Sequence, residues 1–151
     1  MTVAVACDHG GFPLKATVLD AVREAGHDPL DLGTNSTDAV DYPDFAAAAG
    51  RAVQDGRAER AIVVCGSGVG AAVAANKLAG IRAGVCHDTY SAHQAVEHDD
   101  VNVLALGARV VGPALATELV RAFLAARFTA DPRHVRRLAK VQALERAAGR
   151  E

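Results

Sequence analysis

Cys65-Gly66-Ser67-Gly68-Val69-Gly70-Ala71-Ala72 places a thiol and a hydroxyl two residues apart in a run of three glycines. An apolar run precedes it and a helical pattern follows, so the turn joins a strand's carboxyl end to a helix start. Glycines there let backbone N–H groups approach a ligand closely, and the helix dipole favours negative charge. Two chemistries fit. In the first, Cys65 is a base: N–H donors near a helix start suit a thiolate, and the same donors suit an oxyanion or enediolate. A base beside an anion hole is what proton abstraction next to a carbonyl requires. In the second, Gly66-x-Gly68-x-x-Ala71 is a dinucleotide fingerprint, with Asp88, 18 residues beyond Gly70, as the ribose-binding acid. That motif normally follows a first strand, whereas two predicted strands precede it here. Asp8-His9, which also follows a strand, His98, and Arg133 with Arg137 complete the set of chemically capable groups. The two arginines are four residues apart, so they share one face of a predicted helix, and guanidinium forks suit phosphate oxygens.

The surrounding pattern alternates strand and helix. Thr2–Cys7, Asp28–Leu32, Ala61–Cys65, Ile81–Cys86 and Asn102–Leu106 are predicted strands. Pro29 suggests that the second is an edge strand. Helices are predicted over Phe12–Ala25, about Pro43–Gln54, Val69–Leu78, Tyr90–Glu97, Pro113–Ala126 and about Pro132–Ala148. Most of the strands are apolar throughout, as in a sheet covered on both faces. The expected fold is therefore one domain over residues 1–151, a three-layer α/β/α, Rossmann-like architecture with a five-stranded parallel sheet and a C-terminal helix. The polar loop 33–42 is longer than the other connections, and such loops often carry function.

Composition narrows the function. The 151 residues carry a formal net charge of −2. Residues 121–151 hold eight Arg or Lys against three Asp or Glu, a local +5 on a −7 remainder, which suggests an anionic ligand. Aromatics make up 4% and Trp is absent, which argues against base stacking on nucleic acid. No apolar run is long enough to span a bilayer, and the start lacks a secretory signal. Three cysteines are too few for a disulfide scaffold and fit a cytoplasmic location. Cys7 and Cys86 read as buried small residues. His93-x-x-x-Glu97-His98 is one residue too long for the inverted zinc motif, and Cys86-His87-Asp88 is a common kind of strand-end cluster, so neither a metal nor another cofactor is expected.

The chain resembles ribose-5-phosphate isomerase B and the related galactose-6-phosphate isomerase subunits. The likeness covers nearly its whole length. It is carried by Cys7-Asp8-His9-Gly10-Gly11-Phe12 with Lys15, Asp41-Tyr42-Pro43, Cys65 to Gly70, Ala74-Ala75-Asn76-Lys77, Gly80-Ile81-Arg82-Ala83, His98, Asn102 to Gly112 and Arg133-His134-x-x-Arg137. The resemblance implies cofactor-free interconversion of aldose and ketose phosphates through a cis-enediolate. It implies Cys65 as the base, Gly66, Gly68, Val69 and Gly70 as the anion hole, and Ser67 as a proton shuttle between O1 and O2. It further implies His98 as the ring opener, Asp8 and Tyr42 as sugar contacts, and His9, Arg109, Arg133 and Arg137 as phosphate ligands. A homodimer, or a tetramer, is implied, with sites shared between subunits and His98 and Arg109 supplied by the neighbour. Relatives usually read His-Asn-Asp where this chain has His98-Asp99-Asp100, so Asp99 brings a charge to a position expected to touch the sugar. Ribose 5-phosphate is the first expected substrate. A tetrose 4-phosphate or hexose 6-phosphate is the second, and a nucleotide-binding regulatory domain is the reading of another class.

Overall fold

The computed structural model describes residues 1–149. Among them the strands are β1 (Thr2–Cys7), β2 (Asp28–Asp31), β3 (Arg60–Cys65), β4 (Ala83–Val85) and β5 (Val103–Gly107). The helices are α1 (Phe12–Glu24), α2 (Tyr42–Gln54), α3 (Val69–Ala75), α4 (Thr89–Asp99), α5 (Pro113–Ala125) and α6 (Pro132–Ala147). Every strand pairing is parallel, and the order is β2-β1-β3-β5-β4. The register sets Cys7 beside Val64 and Cys65 beside Gly107, so β1, β3 and β5 end at one level.

The sheet's two faces are unlike, and alternation along each strand explains why. Val3, Val5, Ile62, Val64, Leu104 and Leu106 face one way and pack with Leu14, Val18, Leu119 and Phe123 of α1 and α5. Burying each such large side chain contributes about 1.5–3 kcal/mol. Ala4, Ala6, Ala61 and Val63 face the other way, against Ala46, Ala49, Ala71 and Ala75 of α2 and α3. The alanine excess is thus concentrated where α2 and α3 lie close to the sheet. Cys65 points to this thin side and Cys7 to the bulky side.

Proline sits in the first turn of α1, α2, α5 and α6, where its missing N–H costs no hydrogen bond. Two elements are shorter than their sequence pattern. α3 stops at Ala75 rather than Leu78, because the Asn76 side chain pairs with both the N–H and the carbonyl of Ala83, and Gly80 turns at φ +75°. β4 spans three residues because it is the sheet edge and Arg82 is drawn to Asp100 at 2.8 Å. α4 runs further than expected, so His98 and Asp99 lie within its last turn.

The turn from β1 into α1 is tight. A Cβ at Gly11 would lie 2.0 Å from the Val64 carbonyl oxygen, a backbone atom that cannot swing aside. Gly11→Ala is expected to cost roughly 1–3 kcal/mol of stability, read as a lower urea midpoint. An unchanged midpoint would show that the β1–β3 crevice can widen freely.

Candidate active site

The chain passes from β1 outward to β2 and then back across to β3 on β1's other side. Such a reversal opens a crevice at the strands' carboxyl ends. A cavity of about 340 Å³ lies there, lined by Asp8, Tyr42, Cys65, Gly66, Ser67, Gly70, Arg109 and Val110. Asp8 continues β1, and its N–H donates to the Val64 carbonyl at 3.3 Å. It is 7% exposed, and its Oδ1 accepts the Gly11 N–H at 2.9 Å, which aims the carboxylate. Cys65 ends β3. Its Sγ accepts the Gly68 N–H at 3.0 Å. Gly68 has φ +82°, and a Cβ there would sit 3.0 Å from the Leu106 backbone, so only glycine presents that N–H without strain. Ser67 Oγ accepts the Val69 N–H at 3.2 Å. Gly68 and Val69 therefore act through their N–H groups.

Tyr42 begins α2 and lies across the turn. A Cβ at Gly70 would approach its ring to 2.9 Å, so that glycine makes room for the ring. The neighbouring subunit was the expected source of Arg109, but the side chain lines this chain's own cavity. The reason is local. Ala108 N–H donates to the Cys65 carbonyl at 2.9 Å and Arg109 N–H to the Gly66 carbonyl at 3.1 Å. Pairing of β5 with β3 thus continues past both strands and lays Arg109 beside Gly66.

Other predicted residues lie outside this cavity. His9 Nδ1 accepts the Val40 N–H at 3.1 Å, so neutral His9 carries its proton on Nε2. Lys15 anchors the other arm of the 33–42 loop, donating to the Thr34 carbonyl at 3.0 Å and to Asn35 Oδ1 at 2.9 Å while pairing with Asp31 at 2.8 Å. Asp99 and Arg137 border a second hollow of about 410 Å³, between the β4 edge and α6. Arg133 is exposed on α6, 3.7 Å from Asp131. The His98 ring stacks on that of His134. The cavity of one chain therefore gathers a thiol, a hydroxyl, a carboxylate, a phenol and one guanidinium, but neither histidine nor the paired arginines.

Sequence reasoning passed over His87, whose Nε2 accepts the Gly107 N–H at 3.0 Å. Gly107 packs against Ser67 so closely that a Cβ would lie 2.7 Å from the Ser67 backbone. His87 thus braces the floor of the site from β4's end. Its place in the strand-end triplet Cys86-His87-Asp88 was the available signal, but the insertion of β5 beside β3 was needed to interpret it.

That insertion also removes the dinucleotide reading. Asp88 follows β4, and β5 lies between β4 and β3, so the acid is two strands, or roughly 10 Å, from the glycine turn. Its carboxylate caps α4 instead, accepting the Ser91 N–H at 2.7 Å, and that bond holds its pKa below the usual value. Among the described residues, no group of three His, Cys, Asp or Glu side chains is placed to hold a metal ion, and no helix is long and apolar enough to cross a membrane.

The three cysteines differ chemically. Burial pushes the Cys7 thiol up to about 11, and burial together with Asp88 raises that of Cys86. Both remain thiols at neutral pH and lie off the cavity. Limited iodoacetamide at pH 7.5 is expected to label Cys65 first, with a sugar phosphate slowing the reaction. Peptide mass mapping checks this, and first labelling of Cys7 or Cys86 would contradict it.

The ribose/galactose isomerase family model matches residues 3–141. The chain belongs to the ribose/galactose isomerase family. Within this family it is 44% identical to ribose-5-phosphate isomerase B of Escherichia coli over 95% of each chain. It is 41% identical to D-erythrulose-4-phosphate isomerase of Pectobacterium atrosepticum over 85% of each. The solved ribose-5-phosphate isomerase B of Clostridium thermocellum superposes with a TM-score of 0.94 at 42% identity, covering 98% of this chain and 99% of the other. The parallel α/β/α fold is therefore that of ribose/galactose isomerases, and the Cys65 cavity lies at its strand ends.

Proposed function

We propose that this protein interconverts ribose 5-phosphate and ribulose 5-phosphate without a cofactor. The observation that carries the reading is Cys65, whose Sγ faces a cavity and accepts the Gly68 N–H beside two further glycines. The Cys65 thiolate takes the C2 proton of the open-chain aldose. The enediolate that forms is held by N–H groups of residues 66–70, and Ser67 moves the proton between O2 and O1. Cys65 then returns its proton to C1. Keeping donors fixed where charge develops is the largest single contribution such a site makes. Asp8 and Tyr42 hold the sugar hydroxyls. Arg109, with His9 beside it, takes the phosphate, whose binding energy positions the reacting carbons.

His98 opens the furanose ring, and Arg133 and Arg137 complete the phosphate grip. All three lie off their own chain's cavity, which supports a homodimer in which each chain completes its neighbour's site. α6 supports the same assembly: among its described residues only His134 is buried, while Val135, Val141 and Leu144 are exposed. The protein acts in the cytoplasm.

The test is proton exchange. Ribose 5-phosphate in deuterated water should acquire deuterium as ribulose 5-phosphate forms. A panel of tetrose 4-, pentose 5- and hexose 6-phosphates compared by kcat/KM sets the sugar length, with ribose 5-phosphate expected to lead by at least about tenfold, the effect of 1.4 kcal/mol. A lead for a tetrose phosphate would transfer the assignment to the activity named for the Pectobacterium relative, and Asp99 would be the first residue to exchange for Asn. Turnover of none of these sugars would end the isomerase reading.

A further inference from the structure

We propose that His134 is a positioning residue for ring opening: its buried ring is the plate that holds His98 in the plane from which Nε2 meets the sugar. This rests on the role given to His98 above. The two imidazoles stack with centroids 4.1 Å apart and planes 25° from parallel. His98 Nδ1 is taken up by Gln94 Nε2 at 2.9 Å, one helical turn earlier. Whichever way that amide is turned, Nε2 is the nitrogen left to exchange a proton with substrate. One hydrogen bond leaves the ring free to rock about it, and the stack supplies the second constraint.

His134 is itself held firmly. It is 3% exposed. Thr129 Oγ1 donates its proton to the Glu97 carbonyl at 3.1 Å, so toward His134 Nδ1, at 2.8 Å, it accepts. Neutral His134 therefore carries its proton on Nδ1. Thr129 N–H also donates to the Glu97 carbonyl at 3.1 Å, and together these contacts tie the start of α6 to the last turn of α4. Burial, then the charges of His98 and Arg133, lower the His134 pKa below the usual 6.5, while Asp131 opposes and Arg137 adds to the shift. A neutral plate leaves His98 free to become the charged partner for a moment. During opening, the anomeric O1–H proton passes to His98 Nε2 as C1=O1 forms and C1–O4 breaks. The electron pair stays on O4, which takes the proton back from Nε2. The same turns of α6 carry Arg133 and Arg137, so docking α6 through His134 sets the ring opener and the phosphate grip together.

Ring opening can be read without isomerisation. In the full-length Cys65→Ala protein, exchange between the α and β anomers of ribose 5-phosphate is followed by NMR. The protein is expected to accelerate that exchange. Adding His134→Ala should lower the acceleration at least tenfold, whereas adding His134→Phe, which keeps a flat ring, should leave it within about threefold. Acceleration that survives His134→Ala overturns the proposal. So does equal loss in both variants, since that would assign the effect to the Thr129 bond. Absence of acceleration in Cys65→Ala alone would overturn the role of His98 and this proposal with it. Isomerisation by the unsubstituted protein would stand in every case.

Discussion

Cys65→Ala is expected to lower kcat for ribose 5-phosphate by about 10²–10⁴-fold, the usual contribution of a positioned acid–base group. KM should change little. The thiol meets C2 as the proton leaves, whereas the phosphate is held by arginines elsewhere, and loss of an interaction made only in the transition state falls on kcat. Cys65→Ser is the sharper variant. It keeps the size of the side chain and an acceptor for the Gly68 N–H, which lies 3.0 Å from Sγ, so the turn should keep its shape. A serine hydroxyl is a far weaker acid than a thiol and is not ionised at neutral pH, so this variant too should be nearly inactive. Deuterium uptake at C2 should fall in parallel with turnover. If turnover fell while exchange persisted, Cys65 would serve a later step. If Cys65→Ser kept more than a tenth of wild-type activity, the base would be another group, with Asp8, at 7% exposure on the same cavity, the first to test.

The sequence pattern reached the fold because its signals are local. Apolar runs marked both-sided strands, and prolines marked helix starts to within a residue. Strand order was not legible, because the insertion of β5 between β3 and β4 depends on crossovers tens of residues long. Everything resting on that order was hidden with it: the bracing role of His87, the remoteness of Asp88 and the nearness of Arg109 to Gly66. Cys65, Ser67, Asp8 and Tyr42 were legible, since each sits within a residue or two of an element boundary at the sheet's carboxyl edge. The other half of the expected site was named without its geometry. His98, Arg133 and Arg137 lie on two helices whose spacing shows they share a side of the molecule, but spacing along one chain does not show which chain's cavity they serve.

That separation makes subunit mixing decisive. Cys65→Ala chains and His98→Ala chains are each expected to turn over ribose 5-phosphate poorly as separate preparations. In a shared-site homodimer, the mixed dimer holds one site with both lesions and one with neither. Random reassortment makes half of the dimers mixed, so co-refolded equal amounts should recover about a quarter of wild-type activity. If each chain instead folded its own His98 toward its own Cys65, every site in the mixed dimer would carry one lesion, and mixing would restore nothing. The structure favours recovery. His98 is held by Gln94 at 2.9 Å and by the His134 stack at 4.1 Å, contacts that fix it against α6 rather than over the glycine turn. Reaching its own cavity would require breaking both, and the buried His134 ring would lose its cover. Adding His134→Ala to the His98→Ala chain should change the recovered activity little, because that chain's stack serves only the doubly damaged site. Adding it to the Cys65→Ala chain should abolish most of the recovery, because there it supports the His98 of the intact site.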